Sequence, residues 1–230
     1  MSERPINLLI CVASGRDWKS RFGHSLAALA MHLGFNRLDG RLHRVSLRIH
    51  HGAYLVQARN AHIIEGLKGG YTHVLSLDDD MMFPANSVDR MIAHDKAVVT
   101  VNYRKKLEDR LEFVCTSPGG HMTTSFNKTG IEPVIGMGMG LTLIDMDKIR
   151  HVPGPYFAVL WNEATGENVL EDSVFCALLQ SYGVEIWCDH SLSQDVKHVG
   201  DYEFGIPTPR PLELFPTLEK KHESQKQATG

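Results

Sequence analysis

Three consecutive aspartates, Asp78, Asp79 and Asp80, follow the apolar stretch Thr72 to Leu77 and precede Met81, Met82, Phe83 and Pro84. Two carboxylates at i and i+2 on the end of a buried strand can point into one crevice. Such a pair suits a hard divalent cation, which takes oxygen ligands and keeps positions open for phosphate oxygens. The metal would neutralise a diphosphate leaving group. A bare Asp-x-Asp also occurs by chance in solvated acidic turns. Here the apolar residues on both sides set the triplet apart from a solvated turn.

The elements that must position these carboxylates follow from periodicity. Ile6 to Val12 is a short apolar run with β-branched residues, the pattern of a buried first strand. Ser14-Gly15-Arg16-Asp17 breaks it as a loop. Phe22, Leu26, Leu29 and Leu33 then recur at helical spacing between Ser20 and Leu33, and Gly34 closes that helix. Val45, Leu47 and Ile49 alternate with polar residues from Arg44 to Ile49, a second strand. Tyr54 to Leu67 reads as helix, ended by Gly69-Gly70. Thr72 to Leu77 is the third strand; Asn86 or Ser87 caps a helix from Val88 to His94, and Ala97 to Val101 is the fourth strand.

This order predicts an α/β, Rossmann-like, mostly parallel central sheet flanked by helices. In such sheets ligands bind at the carboxyl ends of the strands, where the three aspartates fall. Further along, Tyr103 to Gly138 reads as strands or a hairpin with mobile loops, and Leu141 to Ile144 as a strand. Asp145 or Asp147 opens a helical turn. His151 to Asn168 reads as a loop, Glu171 to Tyr182 as a helix with Val174, Phe175, Leu178 and Leu179 inward, and Val184 to Cys188 as the last strand. Residues 1–211 form one domain and residues 212–230 a polar tail.

The segment from Thr72 to Pro84, with Gln57-Ala58-Arg59-Asn60 upstream, resembles nucleotide-sugar glycosyltransferases of the GT-A type, in particular small bacterial and phage members related to glycosyltransferase family two. The resemblance runs from Ile6 to about His198. It implies that Asp78 holds the nucleotide ribose and Asp80 the metal, with Asp79 able to share either job. It places Ala13, at the end of the first strand, in the nucleotide-base cradle, with Arg16 and Asp17 nearby. Glu171 and Asp172 match the acidic pair of inverting members, so Asp172 would take the acceptor hydroxyl's proton; acidic residues at a helix start also stabilise its dipole. His198 matches a histidine that completes the metal shell, with His190 its nearest competitor, and imidazole suits Mn2+ better than Mg2+. The expected cofactor is Mn2+ or Mg2+, and the expected donor a uridine-diphosphate sugar. The acceptor is a glycan or a hydroxymethylated base in DNA, the latter needing a flipped base.

Other residues are read singly. The planar fork of Arg59 fits a diphosphate or base contact, or Arg59 is a surface helix arginine. Asn60 bonds to nearby backbone. Trp161 stacks on a sugar or base or caps the core, and the core is preferred. Gly136 to Gly140 lacks a Walker ending and reads as flexible, close-packed backbone beneath the acceptor site.

A net charge of -3 shows no basic surplus of the kind nucleic-acid binders carry. Arg104, Lys105, Lys106 and Arg110 would be the best groove for DNA, but this run reads as a solvated loop. The four cysteines lie far apart, without a CxxC pair, and three of them sit in apolar runs and read as small core residues. No apolar segment is long enough for a signal peptide core or a membrane span, so a soluble, intracellular protein is expected; the resemblance implies the cytoplasm of a bacterium or a phage-infected cell. Two rival functions remain. A nucleotidyltransferase would want a Gly-rich, basic loop after the first strand; a non-catalytic binding domain of the same fold would have lost the base or the metal.

Overall fold

The structure, a computed structural model, describes residues 4–15, 17–52, 54–107, 109–200 and 203–206. Arg16 and the tail at residues 212–230 lie outside the described residues. The first half runs β1 (Ile6–Ser14), α1 (Ser20–Asn36), β2 (Leu42–His51), α2 (Leu55–Lys68), β3 (His73–Asp78), β4 (Met81–Met82), α3 (Ser87–Ala93) and β5 (Val98–Thr100). The second half runs β6 (Ile131–Val134), β7 (Leu141–Asp145), α4 (Met146–Ile149), β8 (Leu160–Asn162), β9 (Glu167–Val169), α5 (Glu171–Ser181), β10 (Ile186–Asp189), α6 (His190–Ser193), β11 (Lys197–Val199) and β12 (Glu203–Phe204).

Seven strands form the central sheet in the order β2-β1-β3-β7-β5-β10-β6. β2, β1, β3, β5 and β10 run in one direction, whereas β7 opposes β3 and β5 and β6 opposes β10. The fold is therefore α/β with a mixed, mostly parallel sheet, as the strand–helix order predicts. The sheet is buried on both faces, which explains why its strands read as continuous apolar runs. From β1, Leu8, Ile10 and Val12 pack with Phe22, Leu26, Leu29 and Leu33 of α1 and with Val88 and Met91 of α3. Leu9 and Cys11 face the other way, toward Ile63 of α2 and Phe175, Cys176 and Leu179 of α5. Fully burying a side chain such as Phe22 or Phe175 contributes about 1.5–3 kcal/mol. All four cysteines are buried and free.

Several expectations are corrected. β2 is an edge strand whose Val45 and Leu47 are exposed rather than core-facing, because only β1 flanks it. Asn86 holds the N-cap position of α3 but makes no side-chain capping hydrogen bond, and the Ser87 hydroxyl donates to the Pro84 carbonyl. Asp145 does cap α4, accepting from the Asp147 and Lys148 backbone N–H groups. The stretch read as a loop from His151 to Asn168 contains the hairpin β8–β9. Trp161 on that hairpin is 63% exposed, so it does not cap the core; the hairpin stands apart from the central sheet. β4, β11 and β12, too short to show periodicity, form a second sheet. Among the described residues, no helix is long and apolar enough to cross a membrane.

Candidate active site

The three aspartates diverge at the carboxyl end of β3. Asp78 is still in register with Ala13 of β1 and turns toward α2. The Asp79 carboxylate accepts the Gly15 N–H at 3.0 Å, tying the turn to the loop after β1. Asp80 faces the other side, where its Oδ2 meets the Lys106 ammonium and lies 3.4 Å from His198 Nε2.

His198 is delivered by backbone pairing. β11 runs antiparallel to β4 with His198 opposite Met81, and the Val199 N–H donates to the Asp80 carbonyl at 2.7 Å. The ring leans edge-on against Tyr103, and Nδ1 lies 3.3 Å from the Arg104 carbonyl. A carbonyl and a carboxylate oxygen only accept, so each ring nitrogen faces an acceptor. With the proton on Nδ1, Nε2 would have its lone pair free for a metal bound beside Asp80. The other Asp80 oxygen, Oδ1, is buried without a hydrogen-bond partner. A carboxylate oxygen and an imidazole nitrogen could together hold a divalent ion, Mn2+ more readily than oxygen-preferring Mg2+. Among the described residues no group of three His, Cys, Asp or Glu could hold a metal. Asp80 and His198 would therefore leave most positions to phosphate and water oxygens. Burial alone would raise the Asp80 carboxyl, but hydrogen bonds from His198 and Lys106 outweigh it and hold the group below its ordinary range.

Arg59 lies at the centre of the site and is buried, contrary to the surface-helix alternative. Its Nη2 donates to Asp78 Oδ1 at 3.0 Å and its Nη1 to Glu171 Oε1 at 2.6 Å. One guanidinium thus joins the end of β3 to the start of α5, while its Nε remains buried without a partner. Burial works against the guanidinium's charge, but Asp78 and Glu171 more than compensate. Burial also pushes the Asp78 carboxyl up, and Arg59 offsets only part of that. Asn60, the next residue, holds a distant segment: it donates to the Phe157 carbonyl at 2.7 Å and accepts from the Tyr156 N–H at 2.9 Å.

The Arg59–Glu171 bond brings Asp172, in the first turn of α5, to the same end of the sheet. Asp172 is half-buried and accepts the Ser173 N–H at 2.7 Å. Its charge reaches Tyr103, whose hydroxyl is raised well above its ordinary value by burial first and also by Asp78 and Asp172. That hydroxyl accepts the Gly140 N–H at 3.1 Å. A Cβ at Gly138 would fall 2.3 Å from the Tyr103 oxygen, and one at Gly140 2.8 Å. Gly138 and Gly140 therefore cradle one buried tyrosine, while a Cβ at Gly136 would press on Thr116 at 3.1 Å. Trp161 is exposed on its hairpin, in register with Asn168. Asp17 is exposed.

Several contributors were missed in the sequence. Lys106 belongs to a basic run that reads as a solvated loop, yet it turns to Asp80 while Lys105 and Arg110 close on Glu112 at 3.1 and 2.9 Å. His50, in register with Ala13, lies 2.7 Å from His62, a buried histidine pushed down to about 3 by burial and by the neighbouring His50 and Arg59. His190, the rival ligand, is buried beside Ser125 and Cys188, away from Asp80's partners. A cavity of about 270 Å3 lined by Arg4, His73, Asp145 and Lys148 opens at the amino ends of the strands, opposite the carboxylates. Its cations are already engaged: Arg4 pairs with Asp145 and Asp147, and Lys148 with Asp95.

No protein-family model and no curated protein sequence matches the chain. Among solved structures it is similar to A197 from STIV, with a TM-score of 0.55 and 15% identity over 90% of this chain and 97% of that one. It is also similar to the nucleoside-diphosphate-sugar pyrophosphorylase from Vibrio cholerae RC9, with a TM-score of 0.46, 12% identity and coverage of 84% and 96%. A third is 4-diphosphocytidyl-2C-methyl-D-erythritol synthase from Anaerococcus prevotii, with a TM-score of 0.42, 12% identity and coverage of 81% and 89%. At these identities the likeness concerns the fold alone.

Proposed function

We propose that this chain is a metal-assisted glycosyltransferase of the GT-A type, moving a sugar from a nucleotide-diphosphate donor, a uridine-diphosphate sugar first among them, to an acceptor hydroxyl. The observation that carries the reading is the meeting of Asp80 and His198, from β3's end and β11, at one point beside the strand ends. Mn2+ or Mg2+ held there supplies electrostatic stabilisation for the negative charge that grows on a departing diphosphate. Ala13 and the Gly15 loop receive the base, and Asp78 the ribose. Arg59 fixes the Asp78 carboxylate and presents Glu171 and Asp172 across the crevice. Asp172 accepts the acceptor's proton as the hydroxyl oxygen bonds to the anomeric carbon and the bond to phosphate breaks.

A glycan acceptor is favoured over DNA by charge. No lysine or arginine occurs between His151 and Ser181, while Glu163, Glu167, Glu171 and Asp172 do. Such a face repels a polyanion, and phosphate contacts dominate DNA affinity. The exposed Trp161 ring offers an apolar surface for a sugar ring.

Product analysis tests the reaction class. Uridine-diphosphate glucose and Mn2+ should yield uridine diphosphate, faster with acceptor glycans present. Release of pyrophosphate from a nucleoside triphosphate and a sugar phosphate, without uridine diphosphate, would show a nucleotidyltransferase instead.

A further inference from the structure

The cation standing against Asp80 is one of the protein's own. Lys106 lies on the short segment between Arg104 and Phe113, which bridge each other, and the Lys105 N–H donates to the Glu112 carbonyl at 2.8 Å. The Lys106 ammonium contacts Asp80 Oδ2, the same oxygen that His198 Nε2 approaches at 3.4 Å. Lys106 thus occupies the gap a metal would share with those two ligands, and an ammonium and a divalent cation cannot both approach one carboxylate oxygen without strong repulsion.

We propose that Lys106 is a displaceable internal counter-ion: its ammonium competes with the divalent cation for Asp80 Oδ2 and, once displaced, pairs with the donor's diphosphate. The inference rests on the metal reading of Asp80. The free site then never exposes an uncompensated acidic cluster, and metal binds well only when the diphosphate gives Lys106 a new partner. The lysine stem suits this exchange, being a flexible four-carbon arm that ends in a compact charge. Metal and donor become coupled, each raising the other's affinity.

The two halves of the exchange give effects of opposite sign in one variant. Mn2+ binding, read by electron paramagnetic resonance of the free ion, should tighten roughly five- to tenfold in Lys106→Met, the release of a charge-assisted contact. Uridine diphosphate binding at saturating Mn2+, read by calorimetry, should weaken in the same variant. Lys106→Arg should keep both close to wild type, and Asp80→Asn should abolish Mn2+ binding. Equal Mn2+ affinity in wild type and Lys106→Met, with Asp80→Asn still inactive in binding, overturns the proposal and leaves the metal site standing. Parallel changes in both affinities also overturn it. Mn2+ bound equally by Asp80→Asn, or by none of the proteins, overturns the metal reading and this proposal together. Circular dichroism checks that each variant is folded.

Discussion

Arg59 and Glu171, 112 residues apart in sequence, share a 2.6 Å charge-assisted hydrogen bond at the junction of α2 and α5. The same guanidinium holds Asp78, so one buried cation sets the distance between the Asp78 and Glu171 carboxylates. Removing one member of a buried ion pair leaves the others uncompensated and costs about 3–5 kcal/mol. Arg59→Met should lower stability by that order in urea unfolding. Adding Glu171→Gln should restore part of the loss. An Arg59→Met protein as stable as wild type would show that the bridge carries no weight.

Acid should weaken the fold through two buried histidines. Burial, with His50 and Arg59, pushes His62 down to about 3, and burial, opposed by Asp145, pushes His73 down to about 4. Both stay neutral in the folded chain while the unfolded chain takes protons below about pH 6.5. Their contribution is therefore constant above that pH and falls as pH drops from about 6.5 toward 4, by roughly 1.4 kcal/mol per pH unit for each group. Urea midpoints at pH 7.5 and 5 check this. His62→Gln should flatten the slope by about one proton, and a profile level between those pH values would refute it.

Tyr103 and the glycine run predict a coupled pair. Gly138→Ala places a methyl 2.3 Å from the phenol oxygen, and overpacking of this kind costs about 1–3 kcal/mol. Tyr103→Phe removes that oxygen and should make Gly138→Ala less damaging than it is alone. Strict additivity in a double-mutant cycle would contradict the contact.

Trp161→Ala should change stability by less than about 0.5 kcal/mol, as an exposed side chain allows. Donor affinity should stay the same and the KM for a glycan acceptor should rise. An unchanged acceptor KM would remove Trp161 from the acceptor side.

What the sequence revealed, and what it hid, divides by range. β1 and β3 are legible because both faces of the sheet are buried, which makes them continuous apolar runs, and α1 because its buried face repeats at helical spacing. The aspartate triplet was legible because apolar residues flank it. Its three separate directions were not: they depend on Gly15, Arg59 and Lys106, each brought in by tertiary packing. Val45 and Leu47 alternate as core residues do, but strand position in the sheet decides exposure, and alternation is blind to that. β8 and β9 have three residues each, too few for a period, so nothing local in the sequence shows that Trp161 sits on an exposed hairpin.

The proposed metal-dependent donor site is tested most directly by calorimetry of uridine-diphosphate glucose with and without Mn2+, on wild type and Asp80→Ala. Binding that requires Mn2+ in wild type and is lost in a folded Asp80→Ala protein is the expected result. Equal binding with and without the metal in both proteins, or no binding of uridine, guanosine or thymidine sugar donors by the folded wild type, would contradict it.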